Sequence, residues 1–156
     1  MRRIYLMRHG RPVSKKEDPD RPLSDQGRDG VERIAGFIEK GGVRIEEFLH
    51  SGKTRARQTA EIMASGLNPG VTPVEKQGLS PMDDVHEVAG YINERDKDLM
   101  IAGHLPHLAG LTSLLVAGSE SIPVASFQPG GVVCLEKSEG SRWSIVWMLV
   151  PEIIKL

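Results

Sequence analysis

The sequence predicts an α/β protein, a three-layer sandwich with a mostly parallel central sheet, helices on both faces and an antiparallel C-terminal hairpin. Two observations predict this class. Short apolar stretches alternate with segments of helical periodicity over most of the 156 residues, and the last two apolar stretches are separated only by a short polar turn. No repeat or linker divides the chain, so we expect residues 1–156 to form a single domain.

The first half of the chain predicts two strand–helix units. Apolar residues are continuous in each strand and recur at helical spacing in each helix, and Ser24 is well placed to cap the first helix. A polar segment with three prolines predicts a loop between the first strand and the first helix. The strands span residues 3–7 and 46–51, the helices 23–42 and 54–66, and the loop 11–22.

The second half repeats this alternation and then ends in two consecutive strands. The strands are predicted at residues 72–76, 98–104, 131–137 and 142–150, and the helices at 83–95 and 105–118. The turn SEGS joins the last two strands into a hairpin. In the final strand, Trp143 and Trp147 are predicted to lie on the same face and to pack in the core. Cys134, in the apolar run GVVCLE, is predicted to be a small buried residue.

Composition excludes several classes of function. The formal net charge is -1, with 39% hydrophobic and 26% charged residues, so neither a nucleic acid nor a membrane surface is indicated as a partner. The N-terminal apolar run IYLM is too short for a signal peptide, and no apolar stretch approaches the roughly 20 residues of a membrane span. A single cysteine permits no internal disulfide. We expect a cytoplasmic protein.

Polar side chains follow three of the predicted strands. Because the carboxyl ends of parallel strands meet at one edge of the sheet, these side chains are expected to converge. Guanidinium groups can bind phosphate oxygens in pairs, helix N-termini favour anions, and a neutral imidazole can attack phosphorus. The pattern therefore predicts a phosphoryl pocket, and its candidate residues are Arg8, His9, Ser51, Thr54, Arg55, Gly103 and His104.

Four segments occur in an order that resembles the histidine phosphatase superfamily, also called phosphoglycerate-mutase-like. They are RHG, RPLSDQG, SGKTRARQTAE and GHLPHLAGL, and they extend over most of the chain. The short bacterial phosphohistidine phosphatases of the SixA type are the most similar members, because their chains are equally short and also have the sequence HLP at the second histidine. The resemblance implies the phosphoglycerate-mutase-like fold.

The resemblance also implies a role for each matching residue. His9 matches the nucleophile that becomes phosphorylated, and His104 matches the second histidine of the pocket. Arg8 and Arg55 match the arginines that bind the phosphate, and Arg21 is a candidate contact on the substrate side. This chemistry requires neither a metal nor another cofactor, and we expect none.

Two departures from the family pattern concern the reaction type. Arg11 stands where the mutases have a glutamate, which makes a mutase the least favoured alternative. The glutamate that serves larger members as general acid has no recognisable counterpart. Between Arg55 and His104, the candidate carboxylates are Asp83, Asp84 and Glu87. None of them lies in a family motif.

The expected function is hydrolysis of phosphohistidine on a histidine-phosphorylated protein such as a phosphotransfer domain, by a monomeric enzyme. Short connections leave little sequence for a lid, which favours a protein-borne phosphate. Two alternatives remain: a phosphatase for a small phosphate ester or anhydride, and a catalytically silent phosphate- or phosphoprotein-binding module. The other polar residues are predicted to be structural or solvated, namely His50, His86, His107, Arg57 and the loop VSKKED.

Overall fold

Six strands form one sheet in a computed structural model that describes residues 2–137, 139–140 and 142–155. The strands are β1 (Arg3–Arg8), β2 (Glu47–His50), β3 (Val74–Glu75), β4 (Leu99–Gly103), β5 (Val132–Lys137) and β6 (Trp143–Leu149). Their order across the sheet is β3-β2-β4-β1-β5-β6. The first four are mutually parallel, whereas β5 and β6 are antiparallel to their neighbours. This confirms the mostly parallel sheet with a C-terminal hairpin.

Helices cover both faces of the sheet, as predicted. They are α1 (Asp25–Lys40), α2 (Thr54–Leu67), α3 (Val85–Glu94) and α4 (His107–Ala117), with a short 3-10 helix at Pro151–Ile153. The Ser24 hydroxyl accepts a hydrogen bond of 3.0 Å from the Gly27 N–H, so the predicted cap of α1 is confirmed. None of the described helices is both long and apolar enough to cross a membrane.

Two hydrophobic cores lie on opposite faces of the sheet. Successive residues of a strand point to opposite sides, so Ile4 and Leu6 pack beneath α3 and α4, whereas Tyr5 and Met7 pack beneath α1 and α2. Cys134 is fully buried, as predicted. Burial raises the pKa of its thiol to about 11, so this group stays protonated at neutral pH.

The prediction that Trp143 and Trp147 share a face is wrong. The pairing of β5 with β6 shifts within β6, because Val146 is an extra residue with no partner opposite it. This β-bulge breaks the two-residue alternation of the strand. Trp143 therefore packs in the core beneath α3 and α4, whereas Trp147 packs in the other core, with its ring 5.9 Å from that of Tyr5. The predicted SEGS turn includes Ser138 and Ser141, which lie outside the described residues.

The carboxyl ends of β1 and β4 are joined where the sequence predicted the pocket. The N–H of His9 donates to the Gly103 carbonyl at 3.0 Å, which continues the parallel pairing beyond the end of β1. Gly10 is required here for space: a Cβ on this residue would lie 2.8 Å from Val31 Cγ2 and 3.0 Å from the Gly27 carbonyl oxygen. Close packing of α1 against this turn therefore fixes the position of His9.

Candidate active site

His9 lies directly after β1 with its ring held in one tautomer. Its Nδ1 donates to the Gly10 carbonyl at 2.8 Å, so in the neutral ring Nε2 carries a lone pair. The residue is buried, with 8% of its surface exposed. Burial is the main cause that lowers its pKa to about 4, and the positive charges of Arg55, Arg8 and Arg21 contribute in the same direction. At neutral pH the His9 ring is therefore uncharged, with its proton on Nδ1 and a lone pair on Nε2.

His104 faces His9 from the end of β4. The two ring centroids are 5.1 Å apart, and the ring planes are inclined by 53°. The Nε2 of His104 forms a 2.6 Å hydrogen bond with Ser51 Oγ in the loop after β2. Burial, followed by the proximity of His9 and Arg55, lowers the pKa of His104 to about 3. The pocket therefore contains two neutral imidazoles side by side.

Arg8 and Arg55 supply positive charge and unused hydrogen-bond donors. Arg8 Nη1 donates to the Phe127 carbonyl at 3.0 Å, which anchors the guanidinium group from the segment before β5. The Nε atoms of Arg8 and Arg55 are both buried and have no hydrogen-bond partner among the described residues. Buried guanidinium donors without a partner are costly, and an anion such as phosphate would satisfy them.

Arg21 lies at the end of the loop between β1 and α1. Its φ of 47° is in the left-handed region, and its Nε donates to the Val13 carbonyl at 3.2 Å. Its positive charge contributes to lowering the pKa of both His9 and Arg55, so its guanidinium group lies close enough to act on both side chains electrostatically. The structure therefore brings all five predicted charged or imidazole side chains to one edge of the sheet: Arg8, His9, Arg21, Arg55 and His104.

The three candidate carboxylates lie beside this group, in a cavity of about 380 Å³ that Ser51 also lines. Asp83 accepts a 2.9 Å hydrogen bond from the Ser80 N–H. Asp84 caps α3 through the His86 N–H at 2.9 Å and also accepts from the ring of His86, and these bonds lower its pKa. Both aspartates thus stabilise local backbone structure. Glu87 approaches Gly78 across the same cavity.

The remaining histidines have structural or surface positions, as predicted. His50 is buried, and its Nδ1 accepts the Gly52 N–H at 3.0 Å. His107 is buried at the first turn of α4. His86 is exposed beside Asp84 and Glu120.

The predicted solvated residues can be assigned in the same way. Arg57 is exposed and pairs with Glu61 one helical turn away, so its prediction as a solvated residue is confirmed. The loop VSKKED is also largely exposed, with its lysines at the surface.

Two contacts of the site were not predicted from the sequence. Thr59 accepts from the Gly10 N–H at 3.0 Å, and the Phe127 carbonyl accepts from Arg8. Ser51, which bonds His104, was among the predicted pocket residues. The one signal for Thr59 was a polar residue among the apolar positions of α2, because Ala56 and Ala60 share its buried face. A main-chain carbonyl such as that of Phe127 gives no signal in a sequence.

Two neutral imidazoles between guanidinium groups, at the carboxyl edge of a parallel sheet, define a site for phosphoryl transfer through a histidine. The chain belongs to the histidine phosphatase superfamily: the family described as histidine phosphatase superfamily (branch 1) matches residues 4–84. Membership supports a phosphatase with a histidine nucleophile.

Relatives extend this similarity over the whole chain. Phosphohistidine phosphatase SixA of Escherichia coli K12 is 28% identical over 158 residues, covering 98% of this chain and 96% of the relative. A structure of the protein histidine phosphatase SixA complexed with tungstate matches with a TM-score of 0.86 and 26% identity, covering 98% and 99% of the two chains. An uncharacterised protein of Picosynechococcus is 31% identical over 122 residues, 74% of this chain and 73% of that protein.

Acid is expected to destabilise the fold through its buried histidines. The pKa values of His9 and His104, about 4 and about 3, lie below the ordinary 6.5, so between pH 6.5 and 4 the unfolded chain binds more protons than the folded one. The free energy of unfolding should therefore decrease as pH falls through this window, by up to about 1.4 kcal/mol per pH unit for each histidine. Urea unfolding at pH 7.5, 6.5 and 5.5 measures this slope.

Matched variants identify which histidine causes the pH dependence of the free energy of unfolding. His9→Gln should make this dependence weaker. His86→Asn should not, because His86 is exposed and its pKa is raised by Asp84, which contributes stability of the opposite pH dependence. An unfolding free energy that is constant between pH 7.5 and 5.5 would contradict the buried, neutral state of these rings.

Proposed function

We propose that this protein is a cytoplasmic, monomeric phosphohistidine phosphatase that acts on histidine-phosphorylated proteins such as phosphotransfer domains. The observation that carries the proposal is the fixed tautomer of His9, whose unprotonated Nε2 is available beside guanidinium donors that have no partner among the described residues. Similarity to SixA over nearly the whole chain, in sequence and in structure, supports this choice of substrate.

In the proposed reaction, His9 Nε2 attacks the phosphorus of the substrate phosphohistidine. A P–N bond to His9 forms, and the P–N bond to the substrate imidazole breaks. Arg8 and Arg55 bind the equatorial oxygens, and His104 stabilises the charge that accumulates on them. Water then attacks the phosphorus of phospho-His9, releases inorganic phosphate and regenerates the neutral imidazole.

Arg21 is proposed to contact the substrate at the edge of the pocket. It lies in the loop between β1 and α1, and its charge acts on both His9 and Arg55.

The proposed reaction requires no metal ion, because the nucleophile and the charge stabilisation come from imidazole and guanidinium groups.

A comparison of substrates tests the proposal. The enzyme is assayed with a phosphohistidine-bearing phosphotransfer domain and with a panel of sugar phosphates, nucleotides and phosphate anhydrides, using His9→Ala as the background. The proposal predicts a clear preference in kcat/KM for the phosphorylated protein. A strong preference for one small ester or anhydride would favour the small-molecule phosphatase, and binding of phosphoprotein without turnover would favour a binding module.

No single carboxylate is expected to be essential for phosphohistidine hydrolysis. An alkyl ester leaves as an alkoxide and benefits from an acid by about 10²–10⁴ in rate, whereas an imidazole titrates near neutrality and can leave as a neutral ring. Asp83→Ala, Asp84→Ala and Glu87→Ala should each retain activity within about tenfold of wild type. The measurement is kcat on the phosphotransfer domain, with circular dichroism to check α3, which Asp84 caps.

The leaving group of the substrate and the same variants both test the ester-phosphatase alternative. The wild-type enzyme should hydrolyse aryl phosphates, whose leaving groups are stable anions, faster than alkyl phosphates. Complete loss of phosphohistidine activity in one folded variant would identify that carboxylate as the general acid and would favour an ester substrate.

A further inference from the structure

Thr59, on the buried face of α2, is hydrogen-bonded to two of the segments that form the pocket. Its hydroxyl oxygen accepts from the Gly10 N–H at 3.0 Å and donates to the Arg55 carbonyl at 2.8 Å. The residue has no exposed surface. Both functions of the hydroxyl, donor and acceptor, are therefore used within the protein.

The peptide group between His9 and Gly10 is fixed at both of its ends. The His9 carbonyl accepts from the Gly130 N–H at 3.1 Å, and the Gly10 N–H is held by Thr59. The next carbonyl along the chain, that of Gly10, accepts from His9 Nδ1 at 2.8 Å. The orientation of this carbonyl decides which ring nitrogen of His9 carries the proton.

We infer that Thr59 is a positioning residue that keeps His9 in its nucleophilic tautomer through the Gly10 backbone. The inference rests on the proposed role of His9 as nucleophile. Without the Thr59 hydroxyl, the buried Gly10 N–H lacks a partner and the turn must move to satisfy it. The Gly10 carbonyl then moves away from Nδ1, the Nε2–H tautomer becomes populated, and that tautomer has no lone pair on Nε2.

Three variants separate this role from a general contribution to the fold. Thr59→Val keeps the shape and the β-branching but removes the hydroxyl, and Thr59→Ser keeps the hydroxyl. Thr112→Val is the matched control, because Thr112 is also fully buried and donates to the carbonyl one turn earlier, that of Leu108, at 2.8 Å. Thr112 lies in α4 and makes none of the hydrogen bonds of the Gly10 turn.

The first measurement is the nitrogen NMR spectrum of His9, recorded without substrate. The wild type and Thr59→Ser should show a protonated Nδ1 and an unprotonated Nε2, and Thr59→Val a mixture of tautomers. The second is steady-state kinetics, in which Thr59→Val should lower kcat by about tenfold or more, by analogy with the loss caused by removing a group that orients a metal-ligating histidine. KM and competitive inhibition by inorganic phosphate should change little, because both depend on the guanidinium groups of Arg8 and Arg55 and neither requires a lone pair on His9 Nε2.

The outcomes distinguish failure of this inference from failure of the proposed function. An unchanged His9 spectrum in folded Thr59→Val, or an equal loss of kcat in Thr112→Val, would overturn the inference. A changed spectrum in a protein that prefers a small phosphate ester would leave the inference standing and reject the proposed substrate. If Thr59→Val does not fold, Thr59→Cys replaces it, and its weaker S–H group should give a partial change in the same spectrum.

Discussion

His9→Ala is expected to abolish turnover of a phosphohistidine-bearing phosphotransfer domain, a loss of at least about 10⁴-fold, because removal of a covalent nucleophile leaves only binding and electrostatic stabilisation. The fold should persist. Within the described part of the chain, the His9 side chain makes one hydrogen bond, to the adjacent Gly10 carbonyl, and it lies beyond the end of β1. The measurement is phosphate release under saturating substrate, with the thermal unfolding midpoint recorded for each variant.

A covalent intermediate gives this prediction a second readout. Rapid quenching of the wild type during turnover should trap phosphate on nitrogen, stable in alkali and labile in acid, and His9→Ala should trap none. His86→Asn is the matched control, because His86 is an exposed histidine at the surface beside Asp84 and should leave both measurements unchanged. Substantial turnover by His9→Ala would assign the nucleophile to another group.

The layered fold could be predicted because each element carries its own pattern. Continuous apolar runs identified the buried strands, and helical spacing identified α1 to α4. The pocket could be predicted because parallel strands place their carboxyl ends together, which brings Arg8, Arg55 and His104 to one edge although they are far apart in the chain. The resemblance to the superfamily then assigned the roles of these side chains.

Features that depend on strand register or on contacts with the main chain could not be predicted from the sequence. The bulge at Val146 reverses the side of the sheet on which Trp147 lies, and an extra residue within one strand leaves no local pattern. The carbonyl of Phe127 and the hydroxyl of Thr59 contribute to the site through contacts made only in three dimensions. Tertiary packing decided these positions.

Arg55→Lys is expected to lower kcat/KM by about a hundredfold or more, the loss typical when one donor to a developing charge is removed. The substitution conserves formal charge but removes the planar fork that can bind two phosphate oxygens at once. Arg55 stands in the first turn of α2, its Nε is buried with no partner in the part of the chain that the structure describes, and burial together with the charge of Arg21 lowers its pKa. The same environment would lower the pKa of a lysine, whose ordinary value is already lower than that of arginine.

Arg57→Lys is the matched control, since Arg57 lies on the same helix but is exposed and pairs with Glu61. It should retain wild-type kinetics, because surface ion pairs of this kind contribute little and this one does not face the pocket. Competitive inhibition by inorganic phosphate measures anion binding apart from the chemical step: Arg55→Lys should bind phosphate more weakly, whereas Arg57→Lys should not. Wild-type kinetics in both variants would mean that the Arg55 guanidinium does not bind the transferred phosphoryl group, and that Arg8 and Arg21 provide the charge instead.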